Sequence, residues 1–368
     1  MDLQELQDAG LYDPSSGDAP QRLELLTFLD EQGCTVEEMV VAQEQDRLFA
    51  LAGDRIIRPV VGLLSLREAA EKLGADLTRV DRFWRTLGLP NQGMDQPQLT
   101  DADVDALRTC LDIGDFLGDD MALGTARVIG AAMARVTEAE SAALRLALEG
   151  TMDLGVTHDE LVTARAFAAA ASLVPRIGRL LDAVHRQHLE ATRGHFEDVA
   201  WDADDHASFR IGVGFADLSG FTRLSQEVAL AELSRILTAF EETATDTVQT
   251  HGGRVVKFLG DAVMWVATSP HALAEIALAL AQHPLAAMAE IPVRAGIAFG
   301  PVLAQDGDYF GSTVNLASRL VALAEPGQVL AGADLAELLD DRWLAVPGTP
   351  TVVRGFEEPL TPYVLTPG

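Results

Sequence analysis

Two kinds of hydrophobic pattern divide the chain near residue 200. Before it, Ala, Leu, Arg and Glu dominate and apolar residues recur at three- and four-residue steps. That spacing predicts helices over 20–32, 35–50, 65–73, 76–88, 100–116, 119–149 and 157–200. Gly33, Gly74, Gly88-Leu89-Pro90 and Gly150 punctuate them, and Pro175 should kink or split the last. After residue 200, short Val/Ile/Phe-rich runs alternate with helical ones: FRIGVGFAD (209–217), GRVVKFLGDAVMWVA (253–267) and IPVRAGIAFGPVLAQ (291–305). They predict a strand at 209–217, two helices between 219 and 250, and a hairpin at 254–267 turning at Gly260-Asp261. A helix at 270–282, a second hairpin at 292–305 and a helix at 312–324 follow, then short strands near 328–331, 351–354 and 362–366. The order β-α-β-β-α-β reads as a split βαβ sheet with helices on one face.

The expected fold class is therefore α+β: an N-terminal all-α bundle followed by a ferredoxin-like βαββαβ domain. A length of 368 residues suits two domains, 1–200 and 201–368, with the polar stretch WDADDHAS (201–208) as boundary. The formal charge of −29 argues against nucleic acid or an anionic membrane as partner. Cys34 and Cys110 make neither a disulfide framework nor a zinc site. The opening MDLQELQDAG is not a signal peptide, and no apolar run reaches the roughly 18 residues of a membrane span. A cytoplasmic protein with reduced thiols is expected.

Residues 201–368 hold 9 Lys+Arg against 21 Asp+Glu, a balance that repels polyphosphates unless cations are bound. Asp217 ends an apolar strand and Asp261 sits in an apolar hairpin. If those strands are neighbours the carboxylates converge, and such hard-oxygen ligands suit Mg²⁺ or Mn²⁺. After Asp217, Leu218-Ser219-Gly220-Phe221-Thr222 opens a helix whose free N–H groups can cradle phosphate. The plainer reading is two turn aspartates capping structure. Lys72 and Lys257 are the chain's two lysines, so a lysine four residues before Asp261 is a notable choice in an Arg-rich chain. Asn315 and Arg319 stand i, i+4 on one helix face, just after Asp308. Arg can stabilise developing phosphoryl charge, and the plainer alternative is an amphipathic helix with two exposed polar residues.

Together FADLSGFT (215–222), KFLGD (257–261), VRAGIAFG (293–300) and DYFGSTVNLASRL (308–320) resemble the class III nucleotidyl cyclases, specifically adenylyl cyclases. The resemblance covers about residues 205–367, and its spacings (44 residues from Asp217 to Asp261, 7 from Asp308 to Asn315, 4 more to Arg319) are family-like. It implies that Asp217 and Asp261, with the Leu218 carbonyl, hold two divalent ions per active site, Mg²⁺ or Mn²⁺. It implies that Lys257 and Asp308 read the adenine edge of ATP, that Asn315 orients the ribose and that Arg319 stabilises the transition state. Arg294 is a β/γ-phosphate contact by the same resemblance, and Phe221 and Thr222 lie in the phosphate-binding turn. Guanylyl cyclases of the family carry Glu and Cys-like residues in place of the Lys257–Asp308 pair, which favours ATP. A second phosphate-binding Lys of some relatives has no match. Because the family's site lies between two catalytic domains, a homodimer is implied.

The first half holds 18 Lys+Arg against 35 Asp+Glu. SLREAAEKLGADLTRVDRFWRTLGLP (65–90) resembles a helix-turn-helix with Arg79, Arg82 and Arg85 on its second helix. The alternatives are DNA binding, as in a transcription regulator with a cyclase-like sensor, and a helical hairpin inside a regulatory bundle; the acidic surroundings favour the hairpin. Residues 165–195 are locally basic, with Arg165, Arg176, Arg179, Arg186, Arg193, His185, His188 and His195. They read as a solvated helix face or as a transmission helix. The layout resembles actinobacterial cyclases with a regulatory helical N-terminal domain, some acid-responsive, and implies pH or a lipid or other small molecule as signal. A diguanylate cyclase is disfavoured because His251-Gly252-Gly253-Arg254 lacks the acidic residues of that family's turn.

Overall fold

The computed structural model describes residues 2–58, 63–151, 160–197, 208–282, 291–353 and 358–368. The chain divides into two compact units, Met1–His188 and Leu189–Gly368. Of the expected boundary stretch, 201–207 lies outside the described residues.

The first unit is helical: α1 (Leu3–Asp8), α2 (Ala19–Glu31), α3 (Val36–Glu44), α4 (Leu51–Ile57), α5 (Leu66–Leu73), α6 (Leu77–Thr86), α7 (Asp101–Leu117), α8 (Asp119–Thr151), α9 (Glu160–Ala171) and α10, which begins at Val174 and runs to Glu197. Capping boxes start three of them, Thr35 with Glu38, Ser65 with Glu68 and Thr100 with Asp103, each satisfying backbone N–H groups at both ends of the box. The helix expected over 35–50 ends at Glu44: Asp46 takes a left-handed φ of 53° and a 3₁₀ turn follows at Leu48–Ala50. As expected, the stretch containing Pro175 is split, into α9 and α10, with Pro175 in the first turn of α10.

Two clusters form the cores of this unit. Leu25, Leu26, Leu29 and Met39 pack with Ala164 and Ala168 of α9. Val80, Phe83 and Trp84 of α6 pack with Leu107 of α7 and Leu123 of α8. The arginines of the helix-turn-helix-like segment are engaged within the unit. Arg79 donates to Asp119 at 2.7 Å and to Asp115 at 2.8 Å, Arg85 pairs with Asp81 at 2.7 Å, and Arg82 reaches Asp120 at 3.4 Å. This is the helical hairpin inside a bundle rather than a cationic face presented to phosphates. By length and composition alone, Glu160–Arg193 is apolar enough to cross a membrane, contrary to the sequence expectation. It is broken between α9 and α10, and α9 buries Ala164, Ala168 and Ala171.

The second unit is built on β1 (Ser208–Leu218), α11 (Phe221–Glu227), α12 (Leu230–Thr250), β2 (Arg254–Leu259), β3 (Ala262–Ala267), α13 (Pro270–Gln282), β4 (Val293–Gln305), β5 (Asp308–Phe310), α14 (Ser312–Leu323), β6 (Val329–Ala331), α15 (Ala333–Leu338), β7 (Trp343–Pro347) and β8 (Tyr363–Pro367). The sheet order is β2-β3-β1-β4-β6-β8-β7, with β5 on β4. Its first four strands pair antiparallel and make the expected split βαβ core. Two sequence expectations are corrected. Residues 293–305 are one strand, not a hairpin: Gly300-Pro301 reads as a turn, but β4 pairs with β1 from Val293↔Leu218 to Leu303↔Ser208, and the reversal comes at Asp306-Gly307. The strand near 351–354 is only a bridge between Thr351 and Leu360, and Arg354 lies outside the described residues.

Helices cover both faces of the sheet rather than one. Alternation along β1 sends Ala216 and Leu218 to a core with α12 and α13, where Trp265, Leu273, Ile276 and Leu280 are buried. It sends Phe209, Ile211, Val213 and Phe215 to the other face, with Met264, Val266 and Ala298, under Ala317 and Val321 of α14. Gly296 permits that contact: a Cβ there would lie 2.1 Å from the Val321 backbone nitrogen and 2.5 Å from the Ala317 carbonyl oxygen.

Candidate active site

Asp217 follows Phe215 at the two-residue period and shares the α14 face of the sheet. In register it stands opposite Ala262 of β3 and Arg294 of β4. Asp261 belongs to the turn between β2 and β3, which Gly260 closes with a left-handed φ of 66°. The Leu218 N–H donates to the Asp261 carbonyl at 3.2 Å, which ties that turn to the end of β1. The two carboxyl groups thus meet at one sheet end. Burial and then the neighbouring Asp217 charge push the Asp261 carboxyl above the usual range, against the lowering effect of its backbone hydrogen bond and of Arg294. Leu218 buries its side chain in the α12–α13 core, so only its backbone is available to a ligand. Phe221 packs against the same core, while Thr222 is exposed in the first turn of α11.

Lys257 reaches this face because of a β-bulge. Val255 pairs with Trp265, whose side chain is in the α12–α13 core, and strict alternation would send Lys257 the same way. The register slips between Val255 and Lys257, so Lys257 pairs instead with Met264, on the α14 face. There its ammonium donates to Asp308 Oδ2. Asp308 opens β5, and its other oxygen accepts from the Tyr309 N–H at 2.9 Å. The side chains, 51 positions apart in sequence, form an ion pair that is one-third exposed at Lys257 and 27% exposed at Asp308.

Asn315 and Arg319 are exposed on α14, and among the described residues neither side chain is in a hydrogen bond or ion pair. Thr313, in the first turn of the same helix, donates to the Pro301 carbonyl at 2.8 Å and pins the helix start to β4. Arg294, which the resemblance implies as a phosphate contact, places Nη2 at 2.7 Å and Nε at 3.1 Å from Asp217 Oδ2. Sequence reasoning missed two further features: Ser219 Oγ, two residues after Asp217, is buried with no hydrogen-bond partner among the described residues, and Arg254 donates to the Tyr309 hydroxyl at 2.6 Å. Cross-strand register could have signalled the first contact of Arg294, but register is invisible until the strands are paired.

The donor set fits divalent cations. Two carboxyl groups at one sheet end, one of them held above its usual range by burial and by its neighbour's charge, on a unit short of cations, are an incomplete hard-oxygen site. Among the described residues no cluster of three or more His, Cys, Asp or Glu side chains gathers. The remaining ligands would be the Leu218 carbonyl, water and phosphate oxygens, the usual manner of Mg²⁺ at nucleotides.

The adenylate and guanylate cyclase catalytic domain matches residues 205–367, and the adenylate cyclase regulatory domain matches residues 4–192. An uncharacterized protein of Mycobacterium tuberculosis (strain ATCC 25618 / H37Rv) is 49% identical over 99% of this chain and 94% of its own length. An adenylate cyclase of Streptomyces coelicolor is 37% identical over 74% of this chain and 70% of its own. A pH-sensitive adenylate cyclase of M. tuberculosis (strain CDC 1551 / Oshkosh) is 30% identical over 87% and 80%. The site geometry and these matches agree, and the chain belongs to the class III adenylate and guanylate cyclase family, as an enzyme whose catalytic domain follows an adenylate cyclase regulatory domain.

Proposed function

We propose that the protein converts ATP to 3′,5′-cyclic AMP and pyrophosphate as a homodimer with two divalent cations per active site. The observation that carries the ATP assignment is the Lys257–Asp308 pair. A donor and an acceptor stand side by side on the same copy of the chain that would present Asn315 and Arg319, opposite the partner copy's cation site. Adenine presents the matching acceptor and donor, N1 and the 6-amino group, and the two side chains would exchange their mutual bond for the base. Bound cations, held by Asp217, Asp261 and the Leu218 carbonyl, supply neutralisation of phosphate charge and a lowered pKa for the ribose 3′-hydroxyl.

The chain's own groups do the rest. Asn315 holds the ribose so that its 3′-oxygen lines up with the α-phosphorus. A bond forms between these atoms as the bond from the α-phosphorus to the bridging oxygen breaks. The hydroxyl proton is released to solvent, and pyrophosphate leaves with the bridging oxygen. Arg319 donates to the oxygens of the α-phosphoryl group, where charge builds up. That Asn315 and Arg319 are exposed and unengaged supports their presentation to a second copy of the chain, whose Asp217 and Asp261 they would complete.

A pH-responsive regulatory half is supported by exposed His185 and His188 on α10 and by likeness to a cyclase named for pH sensitivity. The side chain of His195 lies outside the described residues. The free thiols of Cys34 and Cys110 fit a cytoplasmic setting. The decisive experiment is product identification by mass spectrometry after incubating the full chain with Mn²⁺ and ATP or GTP. Cyclic AMP with equimolar pyrophosphate is expected from ATP. Cyclic GMP as the main product, or no cyclic nucleotide, would contradict the assignment.

A further inference from the structure

Arg294 makes a contact that its motif does not announce. Three groups lie in line across three neighbouring segments: Arg294 on β4, Asp217 on β1 and Asp261 in the β2–β3 turn. Both N–H contacts of the guanidinium converge on one oxygen, Asp217 Oδ2. The pair is mostly buried, with 29% of the Arg294 side chain and 21% of Asp217 exposed, so solvent screens it weakly. A third donor of Arg294, Nη1, lies 3.5 Å from the carbonyl of Ala324, which ends α14. The guanidinium is therefore held between the cation-binding carboxylate and the end of the helix that carries Asn315 and Arg319.

We propose that Arg294 is a placeholder cation. In the nucleotide-free enzyme it occupies Asp217, keeps the carboxylate in its binding rotamer and opposes the entry of a free divalent ion. When the triphosphate arrives, its oxygens offer Arg294 a better charge-assisted partner, the guanidinium turns to them, and Asp217 Oδ2 is released to the cation. Cation and nucleotide then bind as a linked pair, each favouring the other through the same side chain. The enzyme would not fill its metal site from the cellular pool without substrate. The inference rests on the reading of Asp217 and Asp261 as cation ligands.

Mn²⁺ alone, titrated into the nucleotide-free full chain and followed by the electron paramagnetic resonance signal of the free ion, tests it. Removing a fixed positive charge in contact with a cation ligand should tighten Mn²⁺ binding by at least about tenfold in Arg294→Gln. Arg294→Lys keeps the charge but loses the two-pronged grip, and should tighten it only about two- to fourfold. Should Arg294→Gln fail to fold, as judged by circular dichroism, the Lys variant carries the test. Unchanged or weaker Mn²⁺ binding in the folded variant would overturn the proposal. Asp217→Asn, combined with the folded Arg294 variant so that the cation site is open, separates the two levels. If Mn²⁺ binding is indifferent to Asp217, the cation-site reading falls and the placeholder with it. If binding needs Asp217 but ignores Arg294, the placeholder alone falls.

Discussion

Replacing Gly296 by alanine would test whether the close seat of α14 on the sheet serves catalysis. The added Cβ would lie 2.1 Å from the Val321 nitrogen, 2.5 Å from the Ala317 oxygen and 2.7 Å from the Leu320 carbonyl carbon, all backbone atoms that no rotamer change can move aside. Ordinary contact begins at 3.4 Å, so α14 must lift by about 1 Å or β4 must bend by as much. Overpacking of this kind costs about 1–3 kcal/mol. Asn315 and Arg319 ride on α14 and would be displaced with it; a misplacement of about 1 Å can cost on the order of 100-fold in rate. Gly214→Ala is the matched control. Its Cβ would strike the Trp265 ring at 2.2 Å, on the opposite face, and leave α14 seated. Urea unfolding should show both variants destabilised, whereas kcat per folded molecule should fall far more in Gly296→Ala. Equal losses of kcat in the two variants, or a Gly296→Ala enzyme of full stability and full rate, would refute the argument.

Lys257→Ala should lower kcat/KM for ATP by about 10- to 100-fold, the weight of one charged hydrogen bond to the base of roughly 1.5–3 kcal/mol. Steady-state kinetics with ATP and GTP would check this, and the ATP-to-GTP preference should shrink by the same factor. The raised carboxyl of Asp261 has a signed consequence for the metal-free protein. Its folded pKa exceeds its unfolded value, so the stability it contributes is full below the ordinary carboxylate range and is lost as pH rises through the raised value. Thermal melts in EDTA across that window should show this loss, and Asp261→Asn should abolish it. Arg79, Arg82 and Arg85 are spent on aspartates of their own unit. An electrophoretic shift assay at low salt should therefore show no binding of the full chain to DNA, and a salt-sensitive shift would contradict that use of the arginines.

Much of this was legible in the sequence because local signals agreed with the fold. The apolar runs of β1 and β3, the Gly260-Asp261 reversal and the i, i+4 pair on α14 all appear as expected. What was not legible depends on pairing. β7 and α15 are five and six residues long, too short for periodicity to rise above chance. Gly300-Pro301 carries a turn signal that the long β1–β4 ladder overrides. The bulge that turns Lys257 toward Asp308 leaves no mark in composition, since alternation alone sends that side chain to the other face. The hold of Arg294 on Asp217 likewise follows from strand register, not from either motif read alone.

A composite site shared by two copies of the chain is best tested by mixing two crippled variants. Asp217→Ala and Arg319→Ala should each be folded and nearly inactive alone. Co-expressed, half the dimers would be mixed, and each of these would rebuild one intact site out of two, so cyclic AMP formation should return to about a quarter of the wild-type rate. No recovery in the mixture, or substantial turnover by either variant alone, would contradict the shared site.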